Sequence, residues 1–283
     1  MTVRRVALAA ALVGLLLPAL WQPAGGQKNV PSSIQLVYPM KKIFKPGDWV
    51  LYKVGGQNGR GETSTDCQRV QIGVATTYRG EDCFWLETGW GPDPDRLVWG
   101  AVMVSENIFL DSLADVRGSV YIRQMHVTNT PDGTPLALIN RTLAPNLPPG
   151  DLAARRPTYT ELGIDTLDTP KGRIACRLVE VKRTYRSARD MPDSTMQQGT
   201  ISTARRWYNA DLIPITGLVR EEEEKVYFER AWPLGKPSTD YPMREVGKDV
   251  LRVEMIDFGH GAKPMVSDRV RVTTQVGGGE GDE

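Results

Sequence analysis

Four consecutive glutamates, Glu221 to Glu224, are the densest carboxylate group in the chain. On a strand, alternate residues face opposite sides, so Glu221 and Glu223 project together. Two adjacent carboxylates can perform acid–base chemistry when burial separates their pKa values, or hold a hard cation. Arg220, Lys225 and Arg230 flank the run, and Arg205 and Arg206 lie close before it. Cross-strand ion pairing on a solvated face is the simpler reading. His260 lies in D-F-G-H-G-A-K and His126 on a strand edge. Neither stands near a serine or cysteine in a recognisable nucleophile setting such as G-x-S-x-G. With only two histidines and no C-x-x-C, neither a three-histidine site nor a zinc site is expected. The glycine-rich stretch Gly55 to Glu62 lacks P-loop spacing and reads as a loop. These residues give an expectation of no catalytic residues, no metal and no cofactor, and of a protein that is not an enzyme.

The elements that would position these residues are mostly strands. The 283-residue chain is 24% charged and 40% apolar, ordinary for a globular protein, and its net charge is +1. That balance supplies no concentrated basic surface for nucleic acid. Segments such as W-V-L-Y-K-V (49–54), R-V-Q-I-G-V-A-T-T-Y (69–78), C-F-W-L-E-T (83–88), R-L-V-W-G-A-V-M-V-S (96–105), 118–127, 172–186, a strand ending near Tyr208, one from about Gly217 to Arg230, and 249–261 carry strand patterns between turn signals. About ten strands without a βαβ rhythm predict an antiparallel sheet. Residues 129–171 read as a long connection, and 187–200 and 231–246 as loops.

Parity gives more. Cys83, Trp85 and Glu87 fall on one face of their strand, and Phe84, Leu86 and Thr88 on the other. In the next strand Leu97, Trp99, Ala101 and Met103 oppose Val98, Val102 and Val104. Both faces are apolar, so the sheet must be covered twice or curl. The expected fold is mainly β: a curved antiparallel sheet, an unclosed half-barrel, with few short helices and long loops.

The N-terminus has a basic start, M-T-V-R-R, then an apolar run from Val6 to Leu20 and small residues Ala24 and Gly26 before Gln27. This is the layout of a secretory signal peptide over 1–26. A lead-in segment (27–45), one β domain (46–276) and a disordered tail (277–283) complete the expected organisation. The expected location is periplasmic or secreted, with an uncleaved N-terminal anchor as the alternative. Cys67, Cys83 and Cys176 are disulfide candidates with the pairing open. A simple cross-strand bridge between Cys67 and Cys83 is not expected, because Cys83 should face Tyr78.

The stretch W-Y-N-A-D-L-I-P-I-T-G-L-V (207–219) reads as a strand–bend–strand corner, since Pro214 cannot donate to a ladder. It resembles a corner found in exported bacterial proteins of unknown function, several of which are similar to the lipoprotein-localisation (LolA/LolB-like) half-barrel superfamily. K-P-G-D-W-V-L-Y-K-V and C-F-W-L-E-T resemble other strands of those proteins. The resemblance implies a half-barrel that binds a lipid, acyl chain or lipoprotein, with Trp49, Trp85, Trp99 and Trp207 as ligand-pocket candidates. The alternative is an accessory or scaffold subunit docked on a membrane protein complex through loops 187–200 and 231–246.

Overall fold

The computed structural model describes residues 41–111, 114, 121–127, 136–139 and 156–270. The segments expected as signal peptide (1–26), most of the lead-in (27–45) and the tail (277–283) lie outside them. The described strands are β1 (Trp49–Gln57), β2 (Thr63–Tyr78), β3 (Glu81–Gly91), β4 (Val98–Ser105), β5 (Ile122–Val127), β6 (Leu136–Ile139), β7 (Thr158–Thr169), β8 (Gly172–Asp190), β9 (Ser194–Tyr208), β10 (Leu218–Pro233) and β11 (Arg244–Gly259). They form one eleven-stranded sheet in the order β6-β5-β4-β3-β2-β1-β11-β10-β9-β8-β7. Every neighbouring pair is antiparallel. The chain thus makes one meander from β1 outward to β6. It makes a second from β7 inward, closing where β11 pairs with β1.

The architecture is the expected one: mainly β, a curved and unclosed antiparallel sheet with little helix. Several segments differ from expectation. The connection read over 129–171 contains β6 and β7. The loop read over 187–200 is a hairpin, because β8 continues to Asp190 and β9 starts at Ser194. Of the loop read over 231–246, only 234–243 lies between strands. Polar residues conceal these strands because their outer ends are solvated on both faces, so the period-2 apolar signal is lost.

Turn chemistry and bulges set the shape. Arg79 and Gly80 both have positive φ, 50° and 80°, the two-residue hairpin turn whose twist suits antiparallel strands. Tyr78 therefore faces Glu81, and Cys83 faces Thr76 rather than Tyr78. Bulges at Leu51/Tyr52, Ile72/Ala75, Glu161/Gly163 and Leu218/Arg220 bend the sheet.

Curvature joins both meanders in one core. Phe84 and Leu86 of β3, Val102 and Val104 of β4, Val50 and Tyr52 of β1 and Val253 of β11 belong to one buried cluster. The corner 209–217 folds into it with Ile213 and Ile215 fully buried. Asn209 builds that corner: its Nδ2 donates to Ala175 O at 2.9 Å, and its Oδ1 accepts from Leu212 N at 2.9 Å. Thr216 Oγ1 meets the Tyr52 hydroxyl, tying the corner to β1. The tip of the β7–β8 hairpin adds Leu167, Ile174 and Cys176 to the same cluster.

The opposite face of β2–β4 is also buried, as the parity argument requires. Cys83, Trp85, Leu97, Trp99, Ala101 and Met103 pack beneath Val266. Glu87 is the anchor of that cover. Its carboxylate accepts from the backbone N–H groups of Met265 (2.7 Å), Val266 (3.1 Å) and Ser267 (2.7 Å), and from Gln71 Nε2 (2.7 Å).

Candidate functional site

The long ends of β8, β9, β10 and β11 project past the core as a four-stranded ledge. The glutamate run lies at its root, and strand parity divides it. Glu221 and Glu223 face the inner, concave side and are buried, at 4% and 8% exposure. This corrects the solvated-face reading of that pair; the outward faces belong to Glu222 and Glu224. Arg206 Nη2 donates to Glu221 Oε1 at 2.9 Å. Ser202 Oγ donates to Glu223 Oε1 at 2.6 Å, and Lys225 Nζ lies 3.6 Å from Glu223 Oε2. Burial by itself raises the Glu223 carboxyl, but Lys225, Ser202, Arg206 and Arg183 together hold it below the ordinary carboxylate range. The Arg206 guanidinium loses hydration yet gains more from Glu221, so its proton is held tighter than usual. The pairing with arginine expected from sequence is present with Arg206, but in the interior. Tyr52 and Tyr208 border the group, and burial raises both phenols.

The outer, convex face of the ledge is different. Ile201 of β9 stands beside Val226 of β10, and Val250 of β11 lies one rung away, opposite Glu224. Ile201 and Val250 are 41% and 43% exposed. Two ion pairs between β10 and β11 flank this apolar centre: Lys248 Nζ to Glu224 Oε2 at 2.7 Å, and Arg252 Nη2 to Glu222 Oε1 at 3.2 Å. Those bridges are the solvated ion pairing that the sequence suggested for the run as a whole.

The four tryptophans do not share a pocket. Trp85 and Trp99 lie together under the C-terminal segment, on the convex side of β3 and β4. Trp85 meets His126 edge-on at 5.5 Å. Gly89 gives Trp99 its place, since a Cβ there would lie 2.9 Å from the indole. Trp49 stacks under the Arg69 guanidinium at 4.4 Å. Trp207 belongs to the large core, and its Nε1–H donates to Asp165 Oδ2 at 2.8 Å. That hydrogen bond, with a second from the Thr166 backbone, lowers the Asp165 carboxyl.

Cys67, Cys83 and Cys176 are free and buried. In the β2–β3 register Cys67 faces Gly91 while Cys83 faces Thr76. The expectation that these two are not cross-strand partners therefore agrees with the pairing. Burial pushes the Cys83 and Cys176 thiols up to about 11. His260 Nδ1 lies 2.6 Å from Asp48 Oδ1 in an exposed turn. Among the described residues no group of three or more His, Cys, Asp or Glu could hold a metal ion. No helix of the described residues is long and apolar enough to cross a membrane.

No protein-family model and no curated protein matches the chain. Solved structures similar to it include a candidate lipoprotein from Parabacteroides distasonis, at 10% identity and TM-score 0.29, covering 77% of this chain and 98% of that one. Another is a candidate exported protein with a YmcC-like fold from Bacteroides fragilis, at 8% identity and TM-score 0.29, covering 76% of this chain and 96% of that one. Similarity at this level assigns no family.

Sequence reasoning missed Glu87 and Arg183 as organising groups, and placed the Arg206 pairing on the solvated face rather than inside. The signal was present for Glu87: it is the one charged residue in C-F-W-L-E-T, a stretch apolar on both faces.

Proposed function

We propose that this is an exported, non-catalytic accessory protein that docks on a partner protein of the cell envelope through the convex face of the β8–β11 ledge. The observation that carries the reading is the apolar group of exposed Ile201 and Val250 with half-buried Val226, flanked by two ion pairs between β10 and β11. An apolar centre with a charged rim is the anatomy of a protein interface. The signal-peptide pattern at 1–26 supplies the compartment. The core supports docking over lipid carriage in a half-barrel. The concave core is filled by the chain's own side chains: Ile213 and Ile215 of the corner share one buried cluster with Tyr52, Val50 and Val253. The test is a photo-reactive residue at position 201, installed in the exporting host, with one at exposed Thr77 as control. Cross-links to one protein from 201 and none from 77, lost on Val250→Glu, support the reading. Equal labelling from both positions overturns it.

A further inference from the structure

The inner face of the ledge, opposite the docking surface, carries a cation with a buried donor that has no hydrogen-bond partner. Arg183 of β8, Ser202 of β9 and Lys225 of β10 form one rung of the sheet, because Ser202 faces Arg183 on one side and Lys225 on the other. Strands in a sheet are about 4.8 Å apart, so the two cations arise roughly 10 Å apart with the short serine between them. Both have side chains long enough to meet above it.

The partners within reach are already engaged. Glu221 accepts from Arg206, and Glu223 accepts from Ser202. Asp249, the next residue along the rung beyond Lys225, accepts from the Tyr227 hydroxyl and the Gly59 backbone, each at 2.8 Å. Arg183 Nη2 is buried and makes no hydrogen bond. Lys225 Nζ, at 3.6 Å from Glu223, is beyond hydrogen-bond distance, so its donors remain available. Arg206 adds a further positive charge next to Arg183; burial followed by that neighbour makes the Arg183 charge harder to hold, and Tyr159, Glu223 and Glu221 offset this only in part. A guanidinium does not deprotonate, so a buried one with an open donor calls for an acceptor. One rung outward, Tyr185 and Tyr227 flank Thr200 and frame the approach.

We propose that Arg183 and Lys225, converging over Ser202, form an oxyanion-binding site that takes a carboxylate or phosphate group. The planar fork of Arg183 suits two oxygens of such a group, and Lys225 adds a point charge from the opposite strand. The group could belong to a free small anion or to the head of an amphiphile; the chemistry at the rung is the same. This site lies on the other face from Ile201 and Val250 and needs no docked partner, so it stands or falls separately from the docking reading.

The test is calorimetric and thermal titration of the mature chain with inorganic phosphate, acetate and decanoate, at constant ionic strength in chloride. The expected result is saturable binding of at least one oxyanion, weakened about tenfold or more in Arg183→Met and partly restored in Arg183→Lys. Decanoate binding well above acetate identifies an amphiphile head as the source; equal binding, or phosphate alone, identifies a small anion. Should Arg183→Met fail to fold, Lys225→Met and the wild-type titration decide. Absence of saturation in the wild type overturns the proposal, as does unchanged affinity in a folded Arg183→Met. Ile201→Glu should leave the titration unchanged.

Discussion

The carboxylate of Glu87, on β3, accepts the backbone N–H of Ser267 at 2.7 Å across 180 residues of sequence. Ser267 returns the tie to the sheet, since its Oγ accepts from Val74 N at 3.2 Å. Gly73 makes room: a Cβ there would lie 2.2 Å from Ser267 Oγ. A charged side chain is thus kept inside a sheet by the cover it holds down. Glu87→Gln replaces one acceptor oxygen by an amide donor facing backbone donors. The expected loss is about 2–3 kcal/mol, read by chemical denaturation. Hydrogen exchange should quicken at 263–267 before it does in β8–β11.

The buried ion pair makes a second prediction. Glu221→Gln or Arg206→Met leaves one charge inside without its partner, and each should cost about 3–5 kcal/mol. Glu222→Gln and Glu224→Gln, on the solvated face of the same strand, should cost at most about 1 kcal/mol each. Urea midpoints of the four variants check the contrast, and equal midpoints would put the parity of β10 in error.

His126 predicts a pH dependence. Both its ring nitrogens are buried without a hydrogen bond, and burial lowers its pKa. The unfolded chain takes up that proton near pH 6.5 and the folded chain resists it. Between those two values the unfolded state binds more protons, so stability is full above about pH 6.5 and falls as the pH drops below it. Denaturation midpoints measured at pH 7.5 and pH 5 should differ in the wild type. The difference should shrink in His126→Phe.

The cysteines predict silence. Cys83 faces Thr76 of β2, nine positions along that strand from Cys67. That is roughly 30 Å along a strand, far beyond the reach of a disulfide. All three thiols are buried, and Cys83 and Cys176 ionise only near about 11. A thiol reagent at pH 7.5 should modify none of them in the native protein and all of them in denaturant. Non-reducing peptide mapping should find no bridge.

The sequence showed the core strands and hid the ledge. Phe84, Leu86, Val102 and Val104 fell on one face, and Cys83, Trp85, Trp99 and Met103 on the other, as alternation requires. The corner was legible because Pro214 cannot donate to a ladder and Gly217 lets the backbone turn, with φ 65° in the structure, and β9 does end at Tyr208. The outer halves of β8 and β9 were not legible, since S-A-R-D-M-P-D-S-T-M has no apolar periodicity to report. The side of Glu221 was misjudged for a related reason. Its alternation was clear, but which parity pointed inward depended on Val253 of β11, its neighbour only in three dimensions. The tryptophans stood out by size, and the buried polar atoms without a hydrogen bond among the described residues include Trp85 Nε1 as well as Arg183 Nη2 and both His126 ring nitrogens.

The central claim, that the ledge is an interface and the curved core is closed by the chain's own side chains, meets its most direct test in native mass spectrometry of protein purified from its own envelope. The account predicts a protein partner whose association is lost in Ile201→Glu/Val250→Glu while the denaturation midpoint stays unchanged, and no lipid other than an amphiphile that Arg183→Met releases. A stoichiometric lipid or acyl adduct that survives purification and persists both in that double variant and in Arg183→Met would contradict it.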